Sequence, residues 1–257
     1  MNTSFHTVSD LQSERLVLPF YFLSDNHIST KTGPEQKKRL NDILDLLKHV
    51  RESKGTLFIL GDFFDFWFDK NNHIPPSLIQ VIDALRSILD AGIEIHYLGG
   101  NHDYWIEGYL TRELGIHFYP DALQFIWEGK RFYCQHGDHV AYISKQYLRV
   151  RKILRNPLAI NMLKILPINW IYRLGEQVSH YNRDIPELPR ISELLVAKLR
   201  DYLREKLEEG YDIALSGHVH YPYIENRDNK TLAILGDWIS YRSYGYMDEQ
   251  GFRLIDK

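Results

Sequence analysis

One cysteine in 257 residues, Cys134, leaves nothing from which to build an internal disulfide framework and suits a reducing compartment. It stands in the run Arg131-Phe132-Tyr133-Cys134 and is read as a small buried strand residue. No apolar run approaches the roughly 20 residues of a transmembrane helix. The first twenty residues carry His6, Asp10, Glu14 and Arg15 and lack the apolar core of a signal peptide. Net charge is scarce too: −3 overall gives no field for general nucleic-acid binding. Together these absences describe a cytoplasmic globular protein, and 44% hydrophobic residues suffice for the core of one large or two modest domains. A last absence is local. From His139 to Gly175 there is no Asp or Glu, although Lys145, Arg149, Arg151, Lys152, Arg155, Lys164 and Arg173 all fall there.

What is present begins with repeated βαβ patterning. Val17 to Ser24 reads as a buried strand, Pro34 opens a helical period through Leu40, Ile43, Leu44 and Leu47, and Thr56 to Leu60 is a strand again. A second helix from Pro75-Pro76-Ser77, stopped by Gly92, leads into a strand over Ile93 to Leu98. This alternation predicts an α/β fold with a mainly parallel sheet covered by helices. From Ile116 the pattern changes to short strands, with Glu128-Gly129-Lys130 as a hairpin turn. The runs at Asp212, Tyr223, Leu232 and Phe252 are expected to continue a second sheet. Residues 1–138 and 211–257 thus read as a core, and 139–210 as an inserted helical cap with a return helix. The cap is either a ligand-binding lid, a dimer interface or an ordinary helical excursion.

Five stretches share one design, an apolar run followed at once by metal-ligand residues. They are Asp25-Asn26-His27, Gly61-Asp62 with Asp65, Gly100-Asn101-His102-Asp103, His136-Gly137-Asp138 and Gly217-His218-Val219-His220. Carboxylates at a strand's carboxyl end point to the position where open α/β sheets bind ligands. A mixture of carboxylates, imidazoles and one amide suits Mn²⁺, Fe²⁺ or Zn²⁺ rather than a thiolate or all-oxygen site.

In that order the stretches resemble the calcineurin-like metallophosphoesterase superfamily, with its D-x-H, GD-x-x-D, GNH-D/E, H and GH-x-H motifs. The resemblance implies two mixed β-sheets packed as a sandwich, flanked by helices, and a two-metal site. By that pattern Asp25, His27, Asp62 and His220 would hold one ion, and Asp62, Asn101, His136 and His218 the other, with Asp62 bridging. His102 would face the phosphate as a catalytic group, and Asp103 would orient its imidazole. Asp65 and Asp138 are expected beside the ligands.

Within the superfamily the nearest resemblance is to the UDP-2,3-diacylglucosamine diphosphatases of lipid A synthesis. It rests on Gly61-Asp62-Phe63-Phe64-Asp65-Phe66-Trp67, Gly100-Asn101-His102-Asp103-Tyr104-Trp105, Tyr147…Arg151…Arg155-Asn156-Pro157 and Leu235-Gly236-Asp237-Trp238. It implies cleavage of a UDP-linked diacyl sugar at its α-phosphate, with two divalent metal ions, Mn²⁺ first among them, at the cytoplasmic face of the inner membrane. Tyr147, Arg151 and Arg155 share a helix face by their spacing of four and would contact substrate together with Asn101, His102 and His218; the other reading of that face is a solvated or interface stripe. Two positions depart from the best-known members, His102 in place of Arg and Ser144 in place of an acid. A metallophosphoesterase acting on another nucleotide or lipid headgroup is therefore the alternative.

Overall fold

The structure is a computed structural model and describes residues 7–11, 15–31, 33–106, 108–142, 145–183 and 189–257, with backbone alone for 176–183 and 189–191. Ser144 lies outside the described residues. Among the described residues twelve strands form two six-stranded mixed sheets. One sheet centres on β2 (Phe20–Leu23), β3 (Thr56–Ile59) and β4 (Ile95–Leu98), paired in parallel. The other contains β1 (Val8–Asp10), β6 (Ala122–Trp127), β7 (Lys130–Gln135), β8 (Ile213–Ser216), β9 (Pro222–Arg227) and β10 (Lys230–Leu235) in the order β1-β6-β7-β8-β10-β9.

Two expectations about sheet membership are corrected. The strand β5 (His117–Tyr119) pairs in parallel with β4 and so extends the first sheet. The run at Phe252 forms β12 (Gly251–Asp256), which reaches that same first sheet through β11 (Ser243–Asp248) and not the second. The reason is the open edge of β2, which a C-terminal antiparallel hairpin closes. The sequence Ser243-Tyr244-Gly245-Tyr246-Met247-Asp248 carries too weak a strand signal to reveal its middle member.

Alternation along the central strands explains the layers. On β2, Phe20 and Phe22 face the second sheet, joining Phe58, Phe125, Phe132, Cys134, Leu215 and Leu235 in a core between the sheets. A stacked pair carries this contact across, Phe58 of the first sheet on Phe125 of the second at 5.1 Å. Tyr21 and Leu23 face the other way, into a core with the helices α1 (Pro34–Ser53) and α2 (Ile79–Asp90). A strand buried on both faces must be apolar throughout, which is why these runs lack a polar alternation. Cys134 is fully buried, and burial pushes its thiol above the usual range.

Between β7 and β8 come four helices: α3 (Lys145–Leu154), α4 (Pro157–Leu163), α5 (Ile168–Arg183) and α6 (Pro189–Glu208). Pro157 occupies the first turn of α4 behind Asn156, whose side chain caps the Leu158 N–H at 2.8 Å. The return helix α6 belongs to the core, laying Leu195, Leu199 and Leu203 on Ala214, Leu232 and Ile234. The other three behave differently: Val150, Ile153, Leu158, Met162, Ile165 and Trp170 are all more than half exposed.

Candidate metal centre

The carboxyl ends of β2, β3, β4, β7 and β8 meet at one place, and the loops leaving them carry all seven expected ligands. Close approach of these loops requires glycine. A Cβ on Gly100 would lie 2.1 Å from Asp62 Oδ1, and one on Gly217 would lie 1.8 Å from Ser24 Oγ. Asp25, His27, Asp62, His218 and His220 all have φ between 45° and 72°. Left-handed backbone at non-glycine residues costs about 1–3 kcal/mol each, and so many together mark a functional site.

Two groups of donors result, Asp25 with His27 and His220, and Asp62 with His136 and His218. Each group's ligand atoms lie within 4.8 Å of one another. Asn101 joins the second group, its Oδ1 standing 3.1 Å from His136 Nε2. Asp62 lies between the groups: its Oδ2 is 3.3 Å from His136 Nε2, 3.8 Å from His102 Nε2 and 4.0 Å from His27 Nε2. A third grouping, His27 with Asp65 and His102, overlaps the first. The Asp65 carboxylate faces His27 Nδ1 at 3.6 Å while its carbonyl accepts from His102 Nδ1 at 2.9 Å.

Three of the four ligand imidazoles are fixed through the outer nitrogen, which leaves the inner one facing the place of a metal. His136 Nδ1 donates to the Leu60 carbonyl at 2.8 Å, His218 Nε2 to the Ala141 carbonyl at 2.9 Å, and His220 Nδ1 to Asp237 at 3.0 Å. Asp237, the partner of His220, is a candidate site residue that the strand-end reading passed over. Its signal was available, because Gly236-Asp237 follows the apolar run of β10 as Gly61-Asp62 follows that of β3.

The electrostatics fit a pair of cations. Asp25 is fully buried, and its Oδ1 has no hydrogen-bond partner among the described residues although it faces His220 Nε2 at 3.5 Å. Burial raises the pKa of this carboxylate. At Asp62 burial acts the same way, but His136 and His102 outweigh it and hold the carboxyl well below its ordinary range. In return His136, despite its burial, is raised to about 10 by Asp62, while burial and His136 together lower His218 to about 4. A buried cluster that pulls a proton this strongly onto His136 has the field, and the oxygen and nitrogen donors, that divalent cations require.

The expected role of Asp103 is corrected. It does not hold the His102 ring, which is bonded to the Asp65 carbonyl instead. Asp103 accepts the backbone N–H groups of Asp62 (3.1 Å), Phe64 (3.2 Å) and Gly100 (3.2 Å), together with the Tyr97 hydroxyl. It thus pins the β3 and β4 loops to each other, and burial beside Asp62 raises it to about 6. Tyr147 and Arg151 on α3 and Arg155 just past its end do share one side, but that side is neither solvated nor free. Arg151 donates to Asp138 at 2.6 Å and to Asp121 at 2.7 Å. Arg155 donates to Asp121 at 2.6 Å and to the Gly100 carbonyl at 3.0 Å, and Tyr147 donates to Asp138 at 3.1 Å. Burial disfavours the Asp138 carboxylate, yet the two guanidiniums keep its pKa far below the usual range.

Strand-end carboxylates and imidazoles arranged as two donor groups around a shared aspartate define the class, that of dinuclear-metal hydrolases. A family model for the calcineurin-like phosphoesterases matches residues 18–222, and the chain belongs to that family. It is a metal-dependent hydrolase. A UDP-2,3-diacylglucosamine hydrolase of Porphyromonas gingivalis is 29% identical over 244 residues, covering 89% of this chain and 93% of that protein. Proteins of the same name from Haemophilus influenzae (27% identical, 90% and 95% covered) and Neisseria meningitidis (26% identical, 86% and 90% covered) are similar at comparable length.

Proposed function

We propose that this protein hydrolyses the diphosphate of UDP-2,3-diacylglucosamine at the α-phosphate, giving UMP and 2,3-diacylglucosamine 1-phosphate, at the cytoplasmic face of a membrane. The observation that carries the reading is the apolar surface of residues 145–175, a stretch without Asp or Glu, bound directly to the metal-ligand loops by Arg155 to the Gly100 carbonyl and by Arg151 to Asp138. A substrate with two acyl chains and a diphosphate needs both chemistries side by side. The relatives' names and their near full-length coverage support the same substrate.

When bound, two divalent cations supply Lewis acidity and a nucleophile of lowered pKa. The chain's own groups do the rest. Asp25, His27 and His220 would hold one cation and Asn101, His136 and His218 the other, with Asp62 shared; Mn²⁺ is the first choice. His102 Nδ1 is occupied by the Asp65 carbonyl, so its Nε2 is the nitrogen able to give a proton or hydrogen bond to the phosphoryl group. Asn101 and His218 would adjoin the phosphate as well. Tyr147, Arg151 and Arg155 would contribute chiefly by seating α3, since their polar atoms already engage Asp138 and Asp121. Among the described residues no helix is long and apolar enough to cross a membrane, which suits peripheral attachment through exposed Leu158, Ile165 and Trp170.

Incubating Mn²⁺-loaded protein with the diacyl substrate in ¹⁸O-water tests the proposal: UMP should carry the label, and the lipid phosphate should not. Label in the lipid product would place attack at the other phosphorus. No turnover would favour a second reading, a phosphoesterase for another nucleotide or lipid headgroup, which His102 in place of the arginine of better-known relatives also suggests.

A further inference from the structure

On the His27 side of the centre the fold leaves a cavity of about 700 Å³, a volume typical of small-molecule sites. Its lining begins one residue past His27, at Ile28 and Ser29, and continues along the first two turns of α1 and the start of α2. None of its lining comes from α3, α4 or α5. Its apolar part is formed by Ile28, Leu40 and Pro76, its neutral polar part by Gln36 and Gln80, and its charged part by Lys31, Lys37 and Arg39 without any acid.

Arg39 makes this more than a crevice. Its guanidinium has no hydrogen bond or ion pair among the described residues, and burial lowers its pKa. The strongest opposite charge acting on it is Asp237, the carboxylate that holds His220. A cation desolvated without a direct partner is unfavourable, and an incoming anion would offset that cost.

We propose that this cavity seats the nucleotide arm of the substrate, a pyrimidine nucleoside monophosphate, while the acyl arm lies along α3 to α5. Arg39 and Lys31 supply positive charge for its anionic end. Ile28, Leu40 and Pro76 cover a flat ring, and the Gln36 and Gln80 amides match the adjacent donor and acceptor groups on the edge of a uracil-like base. The assignment rests on the proposed reaction, because it names the half of that substrate which the helices do not accommodate.

Calorimetric titration of the full-length, Mn²⁺-loaded protein with UMP, uridine and inorganic phosphate tests it without requiring turnover. Arg39→Ala and, independently, the exposed Gln80→Ala should each raise the Kd for UMP about tenfold while metal content and thermal midpoint stay at wild-type values. Inorganic phosphate should bind more weakly than UMP and respond little to Gln80→Ala. Equal UMP affinity in wild type and both variants overturns the proposal, as does phosphate binding as tightly as UMP, which would mean that nothing but the metal centre holds the anion. The lipid reading fails separately. If the variants weaken UMP but the wild type leaves the diacyl substrate intact, the nucleotide site stands and the acyl assignment falls.

Discussion

At the carboxyl ends of β2, β3, β4, β7 and β8 the charged groups are buried, whereas along residues 145–175 many large apolar groups are exposed. Asp25, Asp62, Asp103, His136 and Asp138 are each at most 1% exposed, while Leu158 and Ile165 stand 75% and 81% exposed. The strand ends are over-determined, with left-handed residues, glycines pressed on neighbouring backbone and a fixed partner for the outer nitrogen of His136, His218 and His220. The helices are attached through a few polar contacts, among them Lys70 Nζ to the Leu166 carbonyl at 2.6 Å and Trp105 Nε1 to the Leu154 carbonyl at 2.9 Å. One region has the rigidity that placing two cations demands, and the other has the uncovered apolar area that a lipid could cover. On the proposed function, the difference would put the chemistry and the seating of the acyl chains on separate elements, and the predictions below try to break that separation.

The largest effect is expected at the shared carboxylate. Asp62→Ala should reduce hydrolysis of the lipid substrate and of a generic phosphodiester alike to background, with at least one metal equivalent lost by elemental analysis. Retention of two metals and of turnover would remove Asp62 from between the groups. Next comes His102→Ala, which should lower kcat by about 10²–10⁴-fold and leave metal content intact, since His102 stands beside the donor groups rather than completing either pair. An apo variant would show that the imidazole is a ligand.

The joint between the two regions is the third target. Replacing both Arg151 and Arg155 with alanine strips a buried Asp138 of its two guanidinium partners and leaves it the Tyr147 hydroxyl, and breaking a buried pair typically costs about 3–5 kcal/mol. The thermal midpoint should fall, and activity toward both substrate types should fall with it because Asp138 is two residues from His136. Adding Asp138→Asn should recover part of the lost stability. A selective loss on the lipid substrate alone would instead return the arginines to direct substrate contact. Smaller still, Ile165→Glu with Trp170→Glu should leave generic phosphodiester turnover within about twofold, because exposed positions rarely matter to stability. The same pair should reduce binding to anionic vesicles and turnover of the diacyl substrate about tenfold.

The seven proposed ligands could be picked out because each follows a buried strand in the chain itself, so apolar run and donor appear side by side, as in Leu60-Gly61-Asp62. What could not be read were partners chosen across space. The sequence puts Asp103 next to His102, but folding turns it toward the Asp62 and Phe64 amides and lets the Asp65 carbonyl take the imidazole. Arg151 and Arg155 show their common face from spacing alone, but not the two carboxylates waiting for them at Asp121 and Asp138. Sheet membership failed for the same reason: β5 and β12 look like neighbours of β6 and β10 in sequence pattern, and only the open edges of β4 and β2 decide where they pair.

The mildest prediction turns on two buried histidines. His136 at the centre and His96 on β4 are each 1% exposed, yet Asp62 raises the first to about 10 whereas burial lowers the second to about 3. His96 lies between the rings of Phe58 (5.0 Å) and His117 (5.2 Å), and its Nδ1 meets the Tyr119 hydroxyl at 3.1 Å. The Glu94 carboxylate comes within 3.3 Å of Nε2, but that nitrogen makes no hydrogen bond, and burial prevails, with His117 lowering the pKa further. Above pH 6.5 neither folded nor unfolded His96 carries the proton, and the residue adds no pH dependence. Between 6.5 and about 3 the unfolded chain binds a proton that the folded chain refuses, so stability falls as pH falls, with a slope of at most about 1.4 kcal/mol per unit. His96→Phe keeps an aromatic ring and removes the titration. Urea midpoints at pH 7 and pH 5 should therefore lie closer together in the variant than in the wild type, and an unchanged gap would mean that Glu94 already pairs with a protonated His96.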